Sequence, residues 1–166
     1  MILGMGTASY TSLHVLISLI GIVSGLVVML GLLRANPLPR WTVVFLSTTA
    51  FTSISGFGFP FDRLLPSHIL GIMSLVVLAF AIPARYLFYL AGPWRSMYVI
   101  GSALALYFNF FVLIVQSFQK IPALRALAPT QKEPPFVVAQ FVALIFFATL
   151  AVFATIRFHP EKVRAV

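Results

Sequence analysis

Apolar residues fall in five long runs along this chain, separated by short clusters of proline, glycine and charge. A hydrocarbon core about 30 Å thick takes roughly 20 helical residues at about 1.5 Å rise each, and every run reaches that length. They extend from Leu13 to Leu33, Trp41 to about Phe61, His68 to Leu90, Met97 to Phe118 and Phe136 to Ile156. The pattern predicts an all-α, polytopic transmembrane helix bundle of five spans, with residues 1–166 forming a single domain.

The breakers agree with these limits. Asn36-Pro37 and Pro39 follow the first run, Pro60 and Pro66 lie after the second, and Gly92-Pro93 closes the third. Pro134-Pro135 opens the fifth, where proline suits a first helical turn. Gly56, Gly58 and Pro60 are placed to unwind the end of the second run. A re-entrant hairpin there would leave four spans. Pro83 sits inside the third run, which would be too short to span if it stopped there, so the helix is expected to continue through it. Between the fourth and fifth runs, residues 119–135 form the one substantial loop. Its stretch Ile121 to Ala128 suits two helical turns lying in the interface as a lid, with Pro122 in the first turn, or else a plain solvated connector.

Composition changes the picture by fixing the solvent. Of 166 residues, 61% are hydrophobic and 8% charged, with a mean hydropathy of +1.06. A soluble domain is roughly 25% charged, so this chain has too little polar surface to coat itself in water. The formal charge of +8 is scattered in ones to threes between apolar runs, a pattern of topology determinants and lipid-headgroup contacts and not of nucleic-acid binding. Cysteine is absent, which excludes disulfides, thiolate chemistry and Cys-ligated metals.

With five spans, Arg34, Arg40, Arg85, Arg95, Arg157, Lys162 and Arg164 share one side, against Arg63, Lys120, Arg125 and Lys132 on the other. The excess places the N-terminus outside. Trp41, Tyr86, Tyr89, Trp94 and Tyr98 would then form an inner aromatic belt. The first run has no basic flank before it and no small-residue cleavage site after it, so it reads as a retained span. A prokaryotic inner membrane is the expected location.

Candidate chemistry lies at the outer helix ends. His14 and His68 each begin a helix and are followed by small residues, Ser18, Gly21 and Gly25 in one case and Gly71 and Ser74 in the other. Two histidines at matched depth can hold a haem iron axially, and in their placement alone the pair resembles membrane b-type cytochromes. The competing reading makes both histidines interfacial residues, with Gly21 and Gly25 as a GxxxG packing motif. On the fourth helix Ser102, Asn109 and Gln116 recur at seven residues and share a face, and Gln140 is expected at the depth of Gln116. These residues predict a polar pocket of His14, His68, Gln116 and Gln140, with Asn109 below and Ser18 at its edge. It would take haem b, a quinone or a headgroup, or would simply knit helices together.

No acidic residue lies within a span: Asp62, Glu133 and Glu161 are all outside. Proton-coupled pumps and cation transporters generally keep an intramembrane carboxylate. Hydrolase, phosphate-loop and zinc-protease motifs are missing too. Three function classes remain: a module binding an apolar cofactor, a structural or assembly subunit of a larger complex (or a homo-oligomer), and a small channel or lipid transporter. Membrane lipids are partners in every case.

Overall fold

The computed structural model describes residues 4–59 and 66–159. These fold as six α-helices with no β-strand among the described residues: α1 Thr7–Leu33, α2 Pro39–Ser55, α3 Pro66–Tyr86, α4 Pro93–Lys120, α5 Pro122–Leu127 and α6 Pro134–Arg157. Four of them, α1, α3, α4 and α6, are long and apolar enough to cross a membrane. The chain therefore has the build of an integral membrane protein.

The second apolar run is shorter as a helix than as a pattern. α2 ends at Ser55 after 17 residues and gives way to a single 3-10 turn, Gly56–Gly58; Pro60 and Phe61 lie outside the described residues. Two causes converge here. Glycine is a weak helix former, and the Tyr10 hydroxyl donates to the Ser55 carbonyl at 2.7 Å, taking an acceptor that another α-turn would need.

α1 and α2 form an antiparallel pair along nearly their whole lengths. Gly31 meets Leu38 at one end, Gly25 meets Phe45 midway, Gly21 meets Thr48, and Tyr10 reaches Ser55 at the other end. The GxxxG spacing matters at Gly25. A Cβ there would stand 2.7 Å from Leu106 Cδ1 and 2.8 Å from Phe45 Cε2, so any side chain would force these neighbours to shift where α1, α2 and α4 meet. Around this point Val28, Met29, Phe45 and Leu106 are almost fully buried.

α3 continues through Pro83, as the run length requires. It stops at Tyr86, short of Leu90, because Leu87 and Phe88 both donate their amides to the Pro83 carbonyl at 2.9 Å. Tyr89 and Leu90 then turn with positive φ. Tyr98 leaves the expected aromatic belt: it is fully buried, its hydroxyl 3.3 Å from Thr42 Oγ1 and its ring 5.1 Å from the Arg85 guanidinium carbon. Arg85 also donates to the Pro37 carbonyl. The cation thus clamps the α1–α2 connection instead of only reaching for the interface. Trp41, Tyr86 and Tyr89 remain exposed.

α6 packs along α4 through Phe110–Phe147 and Phe118–Phe136 ring contacts. Its C-terminal turn is held by Arg95, which donates to the carbonyls of Thr155 and Phe158. The short α5 forms where Pro122 predicts its first turn. The connection is tied down by Gln131, whose amide donates to the Val115 carbonyl at 2.9 Å.

Candidate functional site

Below Gly25 the four helices α1 to α4 are tightly packed; above it they separate. There they line a cavity of about 500 Å³, at the end of the bundle that carries the N-termini of α1 and α3. Five of the six residues expected from sequence line it: His14 and Ser18 from α1, His68 from α3, and Asn109 and Gln116 from α4. Leu19, Ile22, Leu70, Phe108, Val112 and Leu113 make most of the apolar wall.

Gln140 is not among the lining residues. It lies between α6 and α4, donating to the Phe111 carbonyl at 3.3 Å, while its Oε1 has no hydrogen-bond partner among the described residues. Equal depth placed it near Gln116 on paper, but α6 packs outside α4, on the side away from the cavity. Sequence depth does not report which side of a neighbour a helix occupies.

The two histidines are held differently. His14 Nδ1 is 2.9 Å from Ser55 Oγ, and the Phe59 ring meets the imidazole edge-on at 5.2 Å. His68 is only 4% exposed and stacks on Phe57, with centroids 5.3 Å apart and planes at 25°. Both aromatic partners are placed by the turn that ends α2, and that turn is set by the Tyr10–Ser55 bond. Sequence reading did not anticipate this role for Phe57 and Phe59.

Hydroxyls finish the polar part. Ser18 Oγ donates to the His14 carbonyl at 2.7 Å and lies 3.4 Å from Thr52 Oγ1. Deeper in, Asn109 Nδ2 donates to Thr49 Oγ1 at 3.3 Å. Thr48, Ser53 and Ser55 bond back to carbonyls of α2 itself, which lets a Ser/Thr-rich helix stay satisfied in an apolar setting. Lys120, just beyond the polar stripe of the fourth helix, lines the cavity as well, and so do Thr11, Ser67 and Ser117, which the sequence reading did not single out. For Thr11 the signal was present: Thr11, His14 and Ser18, three and four residues apart, form one helical stripe.

Chemically, the arrangement offers imidazole, amide and hydroxyl groups around an apolar slot. Among the described residues no group of three or more His, Cys, Asp or Glu side chains could hold a metal ion; the pair His14 and His68 are the candidate haem ligands. Comparison with protein-family models, curated proteins and solved structures gives no match.

Proposed function

We propose that this chain is a non-transporting membrane module of five crossings, N-terminus outside, that binds an apolar cofactor of the quinone class near its outer face. The observation that carries the reading is the meeting of His14, Ser18, His68, Asn109 and Gln116 on one cavity with otherwise largely apolar walls. Few polar groups in an apolar cleft of several hundred Å³ is the usual make-up of a small-molecule site. The α2 crossing is supported by its pairing with α1 from Leu38 beside Gly31 to Ser55 beside Tyr10. The uneven Lys and Arg count supports the orientation, and a prokaryotic inner membrane is the location this topology suits. The packed layer of Gly25, Phe45 and Leu106 below the cavity favours binding over transport.

A quinone needs hydrogen bonds at its ring edges, and His14, Gln116 and the hydroxyls supply them. Haem b is the second reading, favoured by two histidines, from α1 and α3, that line one cavity. It would use His14 through Nε2, with Nδ1 oriented by Ser55, the usual arrangement of a ligating imidazole. It also asks His68 for an open lone pair, whereas that ring is enclosed against Phe57. A role as a subunit of a larger complex draws its support from the exposed apolar face of α6, from Val138 to Ile156.

The test is the absorption spectrum of detergent-purified protein, oxidised and dithionite-reduced, together with chromatography of its organic extract. A quinone in the extract and no Soret band supports the quinone reading. A Soret band with sharpened bands on reduction, lost in His14→Ala and His68→Ala, replaces quinone by haem b. Neither chromophore, together with no thermal shift on adding a short-tailed naphthoquinone, overturns cofactor binding and leaves the subunit reading.

A further inference from the structure

The charged group of the cavity wall stands at its rim, and most of the large apolar side chains lie deeper, beside the polar Ser74 and Asn109. On α1 the lining runs from Thr11 and His14 at the rim to Leu19 and Ile22, and on α3 from Ser67 and His68 to Leu70. On α4 it runs from Lys120 and Gln116 down to Val112, Asn109 and Phe108. From Thr11 to Ile22 the slot is about 16 Å deep at helical rise. Gly25 and its neighbours close it below. A ligand that matches this arrangement is an amphiphile lying head to rim, with its tail pointing into the bundle.

Among the described lining residues Lys120 is the only Lys, Arg, Asp or Glu, and it stands at the rim. Nothing acidic among the described lining residues opposes it. An anion buried without a partner is costly in a low-dielectric site, so a ligand with an acidic head gains from placing that head beside Lys120. Among the described lining residues a cationic head finds only the like charge of Lys120.

We propose that the cavity binds a short-tailed quinone carrying an acidic ring hydroxyl, its ionised head at Lys120, Gln116 and His14 and its tail against Ile22, Val112 and Phe108. The inference rests on the quinone reading and adds the charge, tail length and orientation of the ligand. Orientation follows from the closed floor, since a long prenyl chain has no way through the packed layer at Gly25.

The experiment measures thermal stability and binding in neutral detergent for a series of 2-hydroxy-3-alkyl-1,4-naphthoquinones of increasing chain length, beside their uncharged 2-methoxy counterparts. The hydroxy series is expected to bind about tenfold more tightly, a difference of about 1.4 kcal/mol, with an optimum at an intermediate chain. Lys120→Gln should remove the preference for the ionised head and leave the optimal chain length unchanged. Val112→Phe, or Leu19→Phe should the first fail to fold, should lose the longest chains that the unaltered protein accepts. Equal binding of hydroxy and methoxy compounds overturns the acidic head while the quinone reading stands. A chain-length profile unmoved by Val112→Phe and Leu19→Phe overturns the orientation. If no naphthoquinone of either series binds, the quinone reading and this inference fall together.

Discussion

His14 Nδ1 lies 2.9 Å from Ser55 Oγ, joining the first helix to the last residue of α2 at the level where the bundle opens. This bond couples the cavity rim to the end of α2. The same residue, Ser55, accepts the Tyr10 hydroxyl on its carbonyl, so α1 grips α2 through both the backbone and the side chain of one position.

Ser55→Ala should therefore cost about 1 kcal/mol of stability, the typical net value of one hydrogen bond. It should also release the His14 ring while leaving the Tyr10 bond in place. The expected signature is a modest fall in thermal midpoint together with a larger fractional loss of ligand affinity. Unchanged affinity would show that the orientation of His14 does not matter to the site.

Two glycines of the same bundle predict opposite outcomes. At Gly25 an added Cβ would press on Leu106 and Phe45 at under 3 Å, whereas at Gly56 the nearest atom, on His14, is 4.0 Å away. Gly25→Ala should destabilise by about 1–3 kcal/mol, the range for overpacking, and Gly56→Ala by less than about 0.5 kcal/mol. Equilibrium unfolding in mixed detergent compares them. Equal costs would mean that the packed floor beneath the cavity is softer than its distances imply.

How far the sequence carried this description depends on what each residue must satisfy. Four helices long and apolar enough to cross a membrane were legible because lipid demands such runs, and Pro122 and Pro134 fall in the first turns of α5 and α6. Five cavity residues were legible because polar side chains at equal depth in apolar helices turn inward. Gln140 was misplaced because depth is a one-dimensional quantity, and which side of α4 the sixth helix occupies is decided by Phe110, Phe118, Phe136 and Phe147 packing together. Tyr98 was misplaced for a similar reason. It sits at belt height, but Thr42 and Arg85 give its hydroxyl and ring partners inside the bundle. The turn carrying Phe57 and Phe59 depends on Tyr10, more than forty residues away, and no local pattern encodes that.

Arg95 supplies a prediction for the opposite end of the molecule. It donates to the Thr155 carbonyl at 3.0 Å and to the Phe158 carbonyl, two acceptors that the end of α6 leaves open. Arg95→Gln should cost about 1.5 kcal/mol, in line with hydrogen bonds from a charged donor, and speed amide exchange over residues 155–158. The cavity lies at the other end, so ligand affinity should hold. A matching loss of affinity would reveal that the two ends are coupled through α4.

Acid should act on the connection between α5 and α6. Glu133 precedes α6 and accepts from the Thr130 hydroxyl at 2.8 Å, the Thr130 amide at 3.2 Å and the Lys132 amide at 3.0 Å. Desolvation is the largest single influence and raises its pKa, but the hydrogen bonds together favour the carboxylate more strongly and leave the value below the ordinary one. A carboxylate with a depressed folded pKa contributes stability that is fully present above its unfolded value, about 4.3 for glutamate. That contribution is lost as pH falls through the depressed value. The connection should therefore keep its turn at neutral pH and loosen only in more acidic solution than a free glutamate would require. The amide resonances of Thr130 and Lys132, followed against pH, should titrate together with a midpoint below the ordinary one and stop titrating in Glu133→Gln. A midpoint at or above the ordinary value would mean that the three donors do not hold the carboxylate in the membrane-bound protein.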